Sequence, residues 1–169
     1  MQASDLYGTL VGKEAALICG GQDTIEHLKA LPEDCYVVAV NHHSVDLPIK
    51  VDMAVAMDVS PHKDGRMAMY DKDVIIVGRR DGRDVNIERE EWFPNVPGQS
   101  SYKAFALLKK MQPSKIYVVG MDCCTGGKTH WHGREQWKQS GNQVVMCKKY
   151  WQELSRGIET VFLKPLEHI

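Results

Sequence analysis

An α/β architecture, with a mostly parallel sheet sandwiched in three layers between helices on both faces, is what this sequence predicts. Two observations predict it. Short apolar runs recur along the chain without polar alternation, the pattern of strands covered on both faces. Segments of helical periodicity lie between several of them, and strand, helix, strand is the grammar of a parallel sheet.

Four runs stand out: "AALICG" (15–20), "YVVAVN" (36–41), "DVIIVG" (73–78) and "KIYVVG" (115–120). A weaker fifth, "DMAVAMD" (52–58), lies between the second and third, and "TVFLKP" (160–165) closes the chain. Between the first two, "DTIEHLKAL" places Ile25, Leu28 and Leu31 on one helix face, with Asp23 and Glu26 spaced as a capping box. "SSYKAFALLKKM" places Tyr102, Phe105, Ala106 and Leu108 similarly, with Ser100 or Ser101 as N-cap. "REQWKQSGNQVVMCKKYWQELSRG" reads as one long helix or two, interrupted near Gly141 and ending at Gly157. The charge-rich stretch 79–99 has no clear period and reads as a long loop crossing the open edge of the sheet, a candidate lid.

The 169 residues suit one compact domain spanning 1–169, with no repeat or linker to divide it. A composition of 43% hydrophobic and 25% charged residues is that of a globular chain rather than a disordered one. Net charge is −1, so no large nucleic-acid footprint is expected. Five cysteines without a disulfide-like rhythm, and no signal peptide, predict a reducing cytoplasm. No apolar run approaches the roughly 18 residues of a membrane span, so no membrane partner is expected. Trp137, Tyr150 and Trp151 on the late helix could fill the core or form a homo-oligomer face, with core as the expectation.

In parallel α/β sheets ligands bind beyond the carboxyl ends of the strands. Those ends are unusually polar here. After the first run come Gly20, Gly21 and Thr24, a turn whose backbone could approach a phosphate or serve geometry alone. Asp23 and Glu26 put negative charge beside it, against a tightly held diphosphate. Asn41 ends the second run with an amide suited to base or ribose, or to an Asx turn. Asp58 follows the weaker run, and Asp122 and Cys123 follow the fourth. Ser100 and Ser101 open a helix, where their hydroxyls could meet a phosphate.

"HWH" (130–132) has three readings. His130 and His132 could ligate a metal with Cys123 or Cys124, although no C-x-x-C or H-x3-H spacing supports one and no metal is expected. Either could be a general acid or base. The segment could also be a surface loop packed through Trp131. No G-x-S-x-G elbow, Walker lysine loop or complete G-x-G-x-x-G is present, and no cysteine lies in an evident thiolate-stabilising motif.

"AALICGGQDTIEHLKALPEDCYVVAVN" resembles the opening of the bacterial sialyltransferases of the Campylobacter type. It is also similar to the related 6-hydroxymethylpterin diphosphokinase-like and Maf flagellin-modification proteins. "SSYKAFALLKKMQPSKIYVVGMDC" resembles the most specific block of that group, and "AVAMDVSP", "HWHG" and "IETVFLKP" extend the likeness over almost the whole chain. The resemblance implies a Rossmann-like domain that binds a cytidine nucleotide sugar and needs no cofactor. It would place Gly20 and Thr24 in the first turn and Asn41 at the second strand end. Ser100 and Ser101 would lie near the nucleotide, Asp122 at a strand end, and His130 or His132 in the place of the base. Gln22 and Asp23 replace the turn's second glycine and proline, and Ser-Ser replaces a Ser-Gly pair. Short stand-alone relatives of this kind occur in phage genomes. The expected function is therefore glycosyltransferase-like, on a nucleotide or nucleotide sugar. The alternatives are a nucleotide binder without transfer chemistry and a structural protein on a retired transferase fold.

Overall fold

The structure, a computed structural model, describes residues 2–57, 65–78, 87–88, 99–123 and 141–168. Among these residues seven strands form one sheet: β1 Glu14–Ile18, β2 Tyr36–Val40, β3 Met53–Ala56, β4 Ile75–Gly78, β5 Ile87–Glu88, β6 Lys115–Val119 and β7 Glu159–Phe162. The order is β5-β4-β3-β2-β1-β6-β7, and every neighbouring pair is parallel. Among the described residues the α-helices are α1 Thr24–Leu28, α2 Ser100–Met111 and α3 Gly141–Leu154.

Alternate residues of each strand point to opposite layers, and both layers are apolar. Ala15, Leu17, Val38, Val40, Met53, Val55, Ile116 and Val118 join one core with Phe105, Leu108 and Trp151 of α2 and α3. Ala16, Ile18, Val37, Ala39, Ala54, Ala56 and Val119 join the other, covered by Leu28, Leu31, Leu47, Val51, Met67 and Tyr70. The chain steps outward from β1 to β5, then returns to β6 on the other side of β1. Connections of one hand must change face when the stepping direction reverses, which is why α1 lies on one face and α2 and α3 on the other.

Several sequence expectations change. Ile87–Glu88 is a short edge strand on β4, inside the stretch read as a loop; an isolated pair of residues carries no period to detect. The remainder of 79–99 up to 98, and 134–140 of the late helical segment, lie outside the described residues. α1 is only five residues long and continues through i→i−3 turns as far as Leu31. Its Ile25 is 49% exposed, whereas Leu28 and Leu31 pack on the core. Gln99 rather than either serine stands at the N-cap position of α2, without a side-chain cap bond, and Ala106 is half-buried. Trp151 is 1% exposed and makes edge contacts with Tyr102, Phe105 and Phe162, so it is core rather than an oligomer face. Tyr150 packs against the same cluster, and Trp137 is outside the described residues.

Candidate functional site

The stepping direction reverses between β1 and β6, and in parallel sheets such a switch point, beyond the carboxyl ends of the strands, is where ligands bind. Two turns interlock there. Gly21 N–H donates to the Gly120 carbonyl at 2.7 Å, and Cys19 N–H to the Val119 carbonyl at 2.8 Å. Thr24, fully buried, donates its hydroxyl to the carbonyls of Gly21 (2.6 Å) and Cys19 (3.1 Å). A side chain at Gly21 would collide with the Gly120 carbonyl, and one at Gly120, whose φ is +62°, with the Thr24 hydroxyl. The glycines thus let two backbones touch. Asp122 is 6% exposed, and its carboxyl carbon would lie 3.1 Å from a Cβ on Gly21.

Asn41 stands at the end of β2 in the left-handed region, with φ 53°. Two hydrogen bonds hold its backbone, and a third closes the turn around it. Its N–H donates to the Val55 carbonyl (2.9 Å), its carbonyl accepts from Tyr70 (2.9 Å), and His43 N–H donates to Val40 rather than to the Asn41 side chain. An Asx turn is therefore not formed. The side-chain Oδ1 is buried and has no hydrogen-bond partner among the described residues. His42 Nε2 lies 3.3 Å from Arg66 Nη1, so the guanidinium favours the Nδ1–H tautomer. The α2 amino end is drawn to the same edge because Met57 N–H, just past β3, donates to Ser100 Oγ at 3.1 Å. Ser100 is buried and engaged, and Ser101 beside it is half-buried.

Gly20, Gly21, Thr24, Asn41, Ser100, Ser101, Asp122 and Cys123 accordingly stand along one edge, at the ends of adjacent strands β6, β1, β2 and β3. Four neighbouring strands span about 14 Å. Asp58, His130 and His132 lie outside the described residues.

Asp23 does not cap α1 through its side chain. It pairs with Lys164, just beyond β7, at 2.8 Å, and this hydrogen bond holds its carboxyl below the usual range against a smaller opposing effect of burial. Of the two negative charges read beside the glycine turn, that of Asp23 is therefore compensated. No local signal pointed to Lys164, which is 141 residues away in sequence. Cavities of about 420 Å³ at the start of β2 and about 380 Å³ beside α1 lie away from this carboxyl edge.

No protein-family model and no curated protein matches this sequence. Solved structures do match. The sialyltransferase CstII from Campylobacter jejuni, in complex with a substrate analogue and described with cytidine-5'-monophosphate, is 12% identical, with a TM-score of 0.60 over 90% of this chain and 80% of its own. An asparagine-to-alanine variant of CST-II in complex with CMP gives 12% and 0.58, over 89% and 81%. The fold is glycosyltransferase-like. A Maf glycosyltransferase from Magnetospirillum magneticum AMB-1 matches 99% of this chain at 14% identity and a TM-score of 0.52. This chain spans only 38% of that protein. The expected resemblance to both groups therefore holds at the level of the glycosyltransferase-like fold. Among the described residues no helix is long and apolar enough to cross a membrane.

Proposed function

We propose that the carboxyl edge of β6, β1, β2 and β3 binds a cytidine nucleotide sugar, and that the chain transfers the sugar with His132 or His130 as base. One observation carries this reading. Asn41 Oδ1 is a buried acceptor without a partner among the described residues, held by a fixed left-handed backbone. Such an oxygen is costly to leave unmatched, and the exocyclic amine of cytosine is a donor of the required kind. The CMP in the complexes of the structural neighbours supports the same ligand class.

In this scheme the histidine takes the acceptor hydroxyl proton as that oxygen attacks the anomeric carbon. The bond from that carbon to the phosphate oxygen breaks, and CMP leaves with the electron pair. In this scheme the Ser101 hydroxyl and the positive end of the α2 dipole stabilise the departing phosphate. Asp122, Gly20, Gly21 and Cys123 shape the floor, Thr24 positions the turn, and Asp58 contributes from beyond β3.

Thermal-shift titration with CMP, CDP, UMP and UDP tests the binding step. CMP should raise Tm through linkage, and a flat response to every nucleotide overturns the reading. CMP-sugar hydrolysis by His132→Ala and His130→Ala then tests the chemistry. One of the two should lose activity while still binding CMP. Wild-type rates in both would remove the base assignment, and no turnover in the parent chain would leave a binder.

A further inference from the structure

Asn41 does not hold its shape unaided. A φ of 53° is unfavourable for any residue with a Cβ, although asparagine tolerates it better than most. Two hydrogen bonds flank its Cα. On the amino side, its N–H donates to the Val55 carbonyl at 2.9 Å and continues the pairing of β2 with β3. On the carboxyl side, its carbonyl accepts from the Tyr70 hydroxyl at 2.9 Å, across 29 positions of sequence. The same phenol oxygen accepts from Ser44 N–H at 3.4 Å. One hydroxyl therefore spans the turn 41–44 from its first residue to its fourth.

Tyr70 is itself anchored. It follows the 3-10 turn Met67–Met69, and its N–H donates to the Met67 carbonyl at 3.3 Å. Met67 is 1% exposed, and the Tyr70 ring packs on the core layer that α1 covers. Arg66 ties the same segment to the turn through its 3.3 Å contact with His42. Burial raises the Tyr70 phenol above its usual range, against a smaller effect of hydrogen bonding with Ser44, so the hydroxyl remains a donor well past neutral pH.

We propose that Tyr70 is the positioning residue for Asn41: its hydroxyl fixes the 41–42 peptide, and with it the direction in which Oδ1 meets the exocyclic amine of the nucleotide base. The role rests on the cytidine reading given above. Asn41 Oδ1 has no partner among the described residues, so the backbone sets its aim. The Val55 bond restrains the N–H side alone, and the carbonyl side is left to Tyr70. Without that hydroxyl Asn41 can relax out of the left-handed region. The aimed state then becomes a fraction of the population, and apparent affinity falls by that fraction.

Tyr70→Phe keeps the ring in the core and removes the hydroxyl. In the intact chain it should weaken CMP binding roughly three- to tenfold by calorimetric titration. Placed in an Asn41→Gly background, where no amide remains to be aimed, the same substitution should change affinity less than about twofold. Equal losses in the two backgrounds would make Tyr70 a general support of the fold and overturn the proposal, as would parental affinity in Tyr70→Phe. NMR supplies a readout that needs no nucleotide. The HN–Hα coupling and side-chain amide shifts of Asn41 should differ between the parent chain and Tyr70→Phe, and identical values overturn the proposal whatever the ligand. A parent chain that binds no CMP would remove the cytidine reading by itself, and the NMR comparison would then decide the role of Tyr70.

Discussion

Lys164 donates a 2.8 Å hydrogen bond to Asp23 Oδ2, so the segment leaving the last strand is clasped to the turn that follows the first. The pair joins the two ends of the sheet's second half at the edge where the candidate site lies. The side chains are 25% and 43% exposed, so solvent screens the attraction and it stabilises by roughly 0.2–1 kcal/mol. The Asp23 carboxyl is depressed in the folded state, so this contribution is complete above the ordinary value of 3.8 and disappears as pH falls through the lower folded value. Lys164→Met should lower stability by less than about 1 kcal/mol at pH 7. The gap from the parent chain should narrow in urea titrations as pH falls below 3.8 and through the lower folded value. A gap of unchanged size across that range would contradict the ionic account.

Close approach of the two turns makes a steric prediction. Gly21→Ala forces a methyl group into the Gly120 carbonyl, and Gly120→Ala both strains a φ of +62° and meets Thr24. Each should cost about 1–3 kcal/mol in denaturant titration. Gly141→Ala, with open space around its Cβ, is the matched control and should change stability by less than about 0.5 kcal/mol.

Asn41→Gly separates backbone from ligand chemistry. Glycine accepts the φ of 53° at no steric cost, so folding stability should move by less than about 0.5 kcal/mol. Removal of the amide should weaken CMP binding roughly five- to 150-fold, equivalent to about 1–3 kcal/mol. Calorimetric titration reads the affinity directly. Unchanged affinity would confine Asn41 to a role in the turn.

Trp151 carries the packing of α3. It is almost fully covered by Tyr102, Phe105 and Phe162, and Trp151→Ala should cost about 3–5 kcal/mol. Trp151→Phe should cost less because most of the volume remains. Urea unfolding followed by circular dichroism would show the ranking, and equal losses would argue against a packed site.

Lys109 fastens two helix ends together. Its ammonium on α2 donates to the Leu154 carbonyl at 2.7 Å and the Arg156 carbonyl at 2.8 Å, acceptors that the end of α3 would otherwise leave open. Lys109→Met keeps the stem and removes the donors. A loss of about 1–2 kcal/mol is expected, with faster hydrogen exchange confined to the last turn of α3 and the residues after it.

The division between sequence and tertiary structure follows from the range of the forces. Continuous apolar runs determined the strands and hence the layered sheet, because a strand buried on both faces must be apolar on both, and that requirement is local. Gly20, Asn41, Ser101 and Asp122 were legible as candidates for the same reason, each standing directly after a run or at a helix start. Ile87–Glu88 was not legible, since a two-residue edge strand exists only through its pairing with β4. Nor was the open acceptor of Asn41, because whether an amide finds a partner depends on what packs around it. The compensation of Asp23 by Lys164, and the Tyr102 hydroxyl on Cys147, join segments far apart in the chain. Electrostatics and hydrogen bonding act over a few ångströms of space regardless of sequence distance, so only the folded arrangement decides which charges and thiols meet.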